Sequence, residues 1–416
     1  MRRIEFILLW AFIATLWLAS PERDRWAFLL LPAGWVLVTH ALADRKLYGH
    51  SRFSLALAAL LGLYMISIYT SPYPTRGWVL LFRPVAGVWI FAVWVETLQR
   101  PRGDHWAKFA AGALTALILV MGSSAIQWTG KAANFTAVTD LLPDWRGFFW
   151  WNGGFNVNEW SGAVTWVLPA LLGIGAGLHG YWRWRTAALL AGAALGTLLF
   201  MGQSLSGLLG VAAGTALLVV PMRWKHYALI GAGTALLIAN AAVLALPRQS
   251  ADLLALVSGQ PGDRSLAHRA VMWERAQDMI VDHPWAGVGI ANYRQLRAIY
   301  AVPGFESDPL PHPHNEALQF GTDLGIPGLL VYGWLALIVG QCARNIQMRG
   351  TAVEKAAAFA LIAGLFAHAV FGLTDAIPIW DRFAFISWWV LGLLAGFDRR
   401  VSERESALRR DTLQSA

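Results

Sequence analysis

The stretch HPHNEALQFGTDLGIPGLLVYGWLALIVGQC, residues 312–342, decides how the chain is read. It opens on two histidines, an asparagine and a glutamate, and beyond Gly325-Ile326-Pro327-Gly328 it runs without charge to Cys342. A spanning helix needs roughly 20 mostly apolar residues, so 323–342 reads as one crossing of a bilayer. The polar residues ahead of it then lie at the membrane surface.

Working outward, comparable stretches occur at 4–20, 26–43, 53–70, 78–97, 107–128, 158–176, 186–203, 205–221, 226–246, 354–373 and 379–397, which makes 12 candidate spans. Composition agrees, because 56% of the residues are hydrophobic and only 14% are charged, too few to cover a soluble surface. The fold class expected is therefore an all-α polytopic membrane protein. Arg2 and Arg3 precede an apolar run as in a secretory signal, but no small-residue cleavage pattern follows Ala19 and Ser20, so the run reads as a retained span. The one cysteine, Cys342, leaves no internal disulfide and no thiolate metal cluster.

The +8 net charge sits mostly in short loops, where basic residues orient a membrane protein, and this argues against a nucleic-acid partner. An even number of spans puts both termini on one side. The positive-inside rule makes that side cytoplasmic, since the inner segments then hold Arg2, Arg3, Arg45, Lys46, Arg52, Arg100, Arg102, Lys108, Arg183, Arg185, Arg223, Lys225, Arg344, Arg349 and the arginines of the tail. The delicate boundary is 186–221. Merged into one span, it would reverse the side of everything after it.

The chain divides accordingly into spans 1–5 (1–128), an interfacial segment (129–157), spans 6–9 (158–246), a long loop (247–315), spans 10–12 (316–397) and a tail (398–416). The two non-spanning segments fall on the outer side. The 129–157 segment mixes Asp140, Asp144 and Arg146 with Phe148, Phe149, Trp150 and Trp151, as a helix lying on the bilayer does. The 247–315 loop holds two helical patterns joined by His283-Pro284-Trp285-Ala286-Gly287-Val288-Gly289, whose Pro and Gly end the first. Many of the 23 tryptophans cluster at span ends, where interface anchoring is their default role; Trp150, Trp151 and Trp285 are the ones placed to stack on a sugar ring.

The His314-Asn315 pair, followed after nine residues by Gly325-x-x-Gly328, resembles the O-antigen ligase and polymerase superfamily, which includes bacterial protein O-oligosaccharyltransferases. Gly154-Phe155-Asn156-Val157-Asn158-Glu159, and 269–289 with Trp273, His283-Pro284 and Gly287-x-Gly289, are similar to the same family. The resemblance covers about the C-terminal two thirds of the chain. It implies a GT-C-like glycosyltransferase of the bacterial inner membrane with one large periplasmic helical loop. It also implies an undecaprenyl-diphosphate-linked glycan as donor, a glycan such as lipid A core as acceptor, membrane lipids as surroundings, and no metal or other cofactor. A functional His at the His-Asn motif and a functional Arg in the long loop are carried over to His314 and Arg269. Where many relatives have Ser-Arg, this chain reads Gln203-Ser204-Leu205-Ser206-Gly207, so that arginine's role is empty or filled from elsewhere.

The chemistry asks for these residue types independently. An acceptor hydroxyl is a poor nucleophile at neutral pH, and an imidazole can take its proton as the anomeric bond breaks. His314 is the candidate base, with His312 its rival and Asn315 either orienting the ring or capping the next helix. The departing diphosphate needs cations, and a guanidinium grips its oxygens through a bidentate fork. Arg269 leads. Arg83, about 7 Å inside a span by helix rise, either reaches the diphosphate or snorkels to the interface. Arg275 and Arg382 have the same two readings, and Asn158 is a further substrate-binding candidate. Asp278, Asp282, Glu306 and Asp308 have no compact metal-ligand spacing, and Gly287-x-Gly289 lacks the βαβ setting of a dinucleotide loop.

Among acceptors, ligation to lipid A core ranks first, polymerisation second and protein O-glycosylation third. A flippase is the non-enzyme alternative; it needs polar groups along a central path, whereas this sequence gathers them at outer span ends.

Overall fold

The structure is a computed structural model that describes residues 51–99, 157–177, 182–202, 204–220, 225–245, 264–301 and 312–415. The expected spans at 4–20, 26–43 and 107–128, the interfacial segment with Trp150 and Trp151, and stretches 247–263 and 302–311 of the long loop lie outside the described residues.

Among the described residues there are helices and no strands. In chain order they are α1 (Ser54–Thr70), α2 (Pro74–Leu80), α3 (Phe82–Gln99), α4 (Val157–Gly177), α5 (Trp182–Gly202), α6 (Leu205–Val219), α7 (Lys225–Ala245), α8 (Arg264–Asp282), α9 (Glu316–Arg349), α10 (Ala352–Phe371) and α11 (Phe385–Ser415), with a 3-10 turn at Arg382–Ala384. Four helical stretches are long and apolar enough to cross a membrane: Pro74–Glu96, Tyr227–Leu244, Glu316–Arg349 and Ala352–Phe371. α1 and α6 are apolar but shorter.

Several boundaries differ from expectation for identifiable reasons. The apolar run 186–221 does divide, because Ser204 takes extended backbone (ψ 104°) and its hydroxyl accepts from the Gly207 amide, capping α6. The 78–97 run is split between α2 and α3 at Leu81. α9 begins at Glu316 rather than 323, since Asn315 caps it there, and it kinks at Gly325 (φ 71°, ψ −165°). α11 passes through the expected boundary at 397 without a break. Its charged extension carries i,i+4 ion pairs, Arg399–Glu403 and Arg409–Glu405, each at 2.7 Å.

Packing follows the small residues. α6 lays Gly207, Gly210 and Gly214 against α4 and α10, so close that a Cβ at Gly210 or Gly214 would strike the Ala367 or Ala363 carbonyl. α3 pairs with α11 through Trp94 and Trp389, edge to face at 6.0 Å. Polar groups gather at the two ends of this bundle. At one end Asp398 accepts from Arg52 (3.0 Å) and Asn345 (2.7 Å), and Arg404 forks onto Glu354 (3.2 and 3.1 Å).

At the other end the 283–292 turn is seated on the kink of α9. The Ile326 amide donates to the Pro284 carbonyl (2.7 Å), the Val288 amide to the Thr322 carbonyl (2.8 Å), and the Ala291 amide to Asp323 Oδ1 (3.3 Å). Asp323 Oδ2 accepts from Gln319 and from the Trp380 indole, both at 2.7 Å. Gly287 (φ 67°) and Gly325 (φ 71°) make this contact possible, for each turns left-handed where the other strand's backbone leaves no room for a Cβ. Gly287→Ala is therefore expected to destabilise the protein by about 1–3 kcal/mol, read as a lower melting temperature in detergent.

Candidate functional site

The site is a corner between the long loop and α9. Asn315 Oδ1 accepts from the Leu318 amide (2.9 Å), closing the first turn of α9, while its Nδ2 donates to the Leu373 carbonyl (3.0 Å). The Glu316 amide donates to the Gly372 carbonyl (2.8 Å). Both carbonyls belong to the chain leaving α10, so these bonds hold segment 372–378 against the corner. Asn315 is thus a cap and a clasp; of its two expected roles, the structure shows capping.

His314 sits just ahead, in the left-handed region at φ 49°, unusual for a residue with a side chain. The Trp273 indole donates to its carbonyl (3.4 Å), and its amide donates to His312 Nδ1 (3.3 Å). The two imidazoles lie 4.3 Å apart. His314 Nδ1 is 2.9 Å from Asp375 Oδ1, an ion-pair distance, and neither ring nitrogen of His314 meets hydrogen-bond geometry with a partner among the described residues. The ring is 6% exposed and the carboxylate 1%.

This arrangement favours one tautomer of the imidazole. A carboxylate this close favours a proton on Nδ1, which leaves the Nε2 lone pair to accept one from elsewhere. Burial alone would raise the Asp375 carboxyl, but the charge and close approach of His314 outweigh it, and the group lies below its ordinary range. Its stabilising contribution is accordingly present above the usual value of 3.8 and is lost only as pH falls below that. Burial, and then the neighbouring His314, push His312 down to about 3, against the opposing pull of Asp375, so His312 is neutral near pH 7.

Asp375 was not among the residues singled out from the sequence. The signal was there: Thr374-Asp375 is a polar pair between apolar stretches ending at 373 and resuming at 379, and a carboxylate so placed asks for a partner. The Ser204–Gly207 segment also reaches this corner, through hydroxyls instead of an arginine. Ser206 Oγ is 2.9 Å from Thr374 Oγ1, and Ser204 Oγ donates to Asn158 Oδ1 at 2.9 Å. Asn158 thereby ties α4 to the cap of α6.

The arginines are distributed unevenly. Arg269 lies on α8 one turn before Trp273, on the face that meets the His314 carbonyl. Arg275 is fully buried inside the loop's own core, with Nε donating to the Tyr300 carbonyl (3.0 Å) and the guanidinium 6.0 Å from the Tyr293 ring. Arg83 is 8% exposed and donates to the Trp380 carbonyl (3.0 Å). Arg382 opens the 3-10 turn that Asp381 caps through the Phe383 amide (2.7 Å); its side chain lies outside what the structure describes. Trp285, the described one of the three candidate sugar platforms, is 77% exposed on the docked turn.

His312, His314 and Asp375 also offer one ligand atom each within 4.8 Å of one another, a nitrogen and oxygen donor set of the type that holds zinc. Of the acidic residues weighed earlier for a metal, Asp278 and Asp282 are on α8, while Glu306 and Asp308 lie outside the described residues.

Residues 187–333 match the family model described as O-antigen ligase. The His314-Asn315 corner, the docked turn and the Gly325 kink all fall inside that segment. A provisionally named polysaccharide ligase of Rickettsia conorii is 36% identical over 73 residues, 16% of this chain and 18% of that protein. Another with the same name, from Rickettsia prowazekii, is 27% identical over 132 residues, 30% of each. The matched stretches thus span less than a third of either relative. The resemblance read from the motif holds.

Asn315→Ala removes both the cap and the clasp, so it is expected to lower stability by about 1–2 kcal/mol in a thermal melt, with Asn315→Asp, which keeps the cap acceptor, losing less.

Proposed function

We propose that this chain, with its O-antigen ligase segment at residues 187–333, is a membrane glycosyltransferase that moves a preassembled glycan from undecaprenyl diphosphate to an acceptor hydroxyl. The observation that carries this reading is the buried His314–Asp375 pair, whose Nε2 is left without a partner among the described residues. In the proposed reaction the acceptor oxygen gives its proton to His314 Nε2 and attacks the anomeric carbon. The bond to the diphosphate breaks, and the diphosphate departs with its charge met by Arg269, with Arg83 a second cation for the same role. Asp375 orients the ring and stabilises the imidazolium as it forms. No metal is required by this route.

The topology that goes with this is 12 spans, both termini in the cytoplasm, and segments 129–157 and 247–315 in the periplasm above an inner membrane. Its support is the division of charge: the arginines around Glu354 and Asp398 collect at one end of the bundle and the His314 corner at the other. Lipid A core is the acceptor ranked first. Polymerisation onto a second lipid-linked repeat and transfer to a protein hydroxyl use the same chemistry, and flipping without transfer is the non-enzymatic reading.

Purified protein given a polyprenyl-diphosphate glycan and a choice of lipid A core, a second lipid-linked repeat or a protein acceptor should add mass to lipid A core. His314→Ala should abolish transfer at normal membrane abundance, and unchanged glycan products in that variant would sink the assigned base. Asp375→Asn should slow transfer about 100-fold or more by freeing the tautomer, and Arg269→Lys about tenfold, because the charge remains but the fork does not.

A further inference from the structure

The proposed reaction gives His314 and Asp375 their roles and leaves His312, which shares their corner, with none. His312 and His314 are two residues apart with the stiff Pro313 between them, so both imidazoles fall on one side of the chain, their rings 4.3 Å apart. Asp375 arrives from the other side, carried in by the chain that Asn315 clasps after α10. All three are buried, at 3%, 6% and 1% exposure for His312, His314 and Asp375.

Both ring nitrogens of His314, and Oδ2 of Asp375, meet no hydrogen-bond partner among the described residues. A buried polar atom in that condition is costly, and here such atoms converge from two separate chain segments. One nitrogen from each ring and one carboxylate oxygen all lie within 4.8 Å of one another, and His314 Nδ1 is 2.9 Å from Asp375 Oδ1. Tetrahedral zinc holds nitrogen and oxygen at about 2.0–2.2 Å, which spaces its ligand atoms about 3.4 Å apart. The observed spacings bracket that value. Two imidazoles and a carboxylate suit zinc and its transition-metal neighbours, with the fourth position left to water. Magnesium and calcium favour shells of six or more oxygens, and this cluster supplies a single carboxylate.

We propose that His312, His314 and Asp375 form a binding site for a zinc-class divalent cation, and that the bound ion switches glycan transfer off. The second half rests on the glycosyltransferase reading; the first does not. A neutral imidazole carries one proton and one lone pair. An ion on His314 Nε2 takes the lone pair that would receive the acceptor's proton. An ion on Nδ1 displaces the proton there to Nε2, which then has no lone pair to offer. By either nitrogen the base is occupied, so the ion acts as an inhibitor.

The test uses the full-length chain in nanodiscs, stripped with EDTA and titrated with zinc chloride. Binding is read by isothermal titration calorimetry, and transfer by the mass that lipid A core gains from an undecaprenyl-diphosphate glycan. Wild type should bind zinc and lose transfer over the same concentration range, recover it with EDTA, and be unaffected by magnesium chloride. His312→Ala and Asp375→Asn should each weaken zinc binding about tenfold or more, since losing even an outer partner of a metal ligand costs about 10–100-fold in affinity. His283→Ala, which removes an exposed histidine outside the cluster, should bind zinc as wild type does. Whatever transfer His312→Ala retains should need about tenfold more zinc to stop it. If Asp375→Asn does not accumulate, His312→Ala carries the comparison. Equal zinc affinity in wild type and His312→Ala overturns the site. Zinc that binds wild type without slowing transfer, or that speeds it, overturns the switch. Equal inhibition of wild type and His312→Ala assigns the effect to zinc on the donor diphosphate and overturns the switch as well. Wild-type protein that transfers nothing with or without zinc overturns the glycosyltransferase reading instead, and the calorimetry then decides the site.

Discussion

Every helix ends with carbonyls that have no partner within it, and here the end of α10 finds partners in the beginning of α9. The Gly372 carbonyl takes the Glu316 amide and the Leu373 carbonyl takes the Asn315 side chain, at 2.8 and 3.0 Å. In a membrane an unmet carbonyl is costly, so this joint is a requirement of the bundle before it is anything else. It has a chemical result all the same. The residue before Asn315 and the residues after Leu373 are forced together, which is why His314 and Asp375 meet although two whole helices, α9 and α10, lie between them in sequence.

A second joint sets the opposite wall of the corner. The 283–292 turn and the kink of α9 are built against one another, with Gly287 and Gly325 each giving up space to the other's backbone. Two motifs that look unrelated along the chain, Gly287-x-Gly289 and Gly325-x-x-Gly328, are the two faces of one contact. Asp323 sits at its centre and gathers donors from the turn, from its own helix and from Trp380. The long loop is therefore fastened to the spanning helices at the level of the backbone.

Much of this was legible in the residues and some was not. The apolar runs located the helices, and the Gln203–Gly207 interruption marked a true helix break because a serine with its side chain at the cap competes with helix continuation. The His314-Asn315 motif located the corner. Asp375 escaped because its partner is remote in sequence and local pattern carries no record of tertiary pairing. The sequence reading of Arg83 rested on depth alone, and depth says nothing about the Trp380 carbonyl to which it donates. Arg275 read as a cation that reaches the diphosphate or snorkels, and only the packing of Tyr293 and Tyr300 around it reveals a side chain enclosed in the loop core.

The order of the elements along the chain has a consequence for how the site comes into being. A ribosome delivers His314 well before Asp375, and α9 and α10 must both be inserted and folded back on each other before the carboxylate reaches the imidazole. A nascent chain halted after α9 would carry the histidine without the carboxylate that stands 2.9 Å from it. The two sides of the corner therefore come together only after both helices have formed.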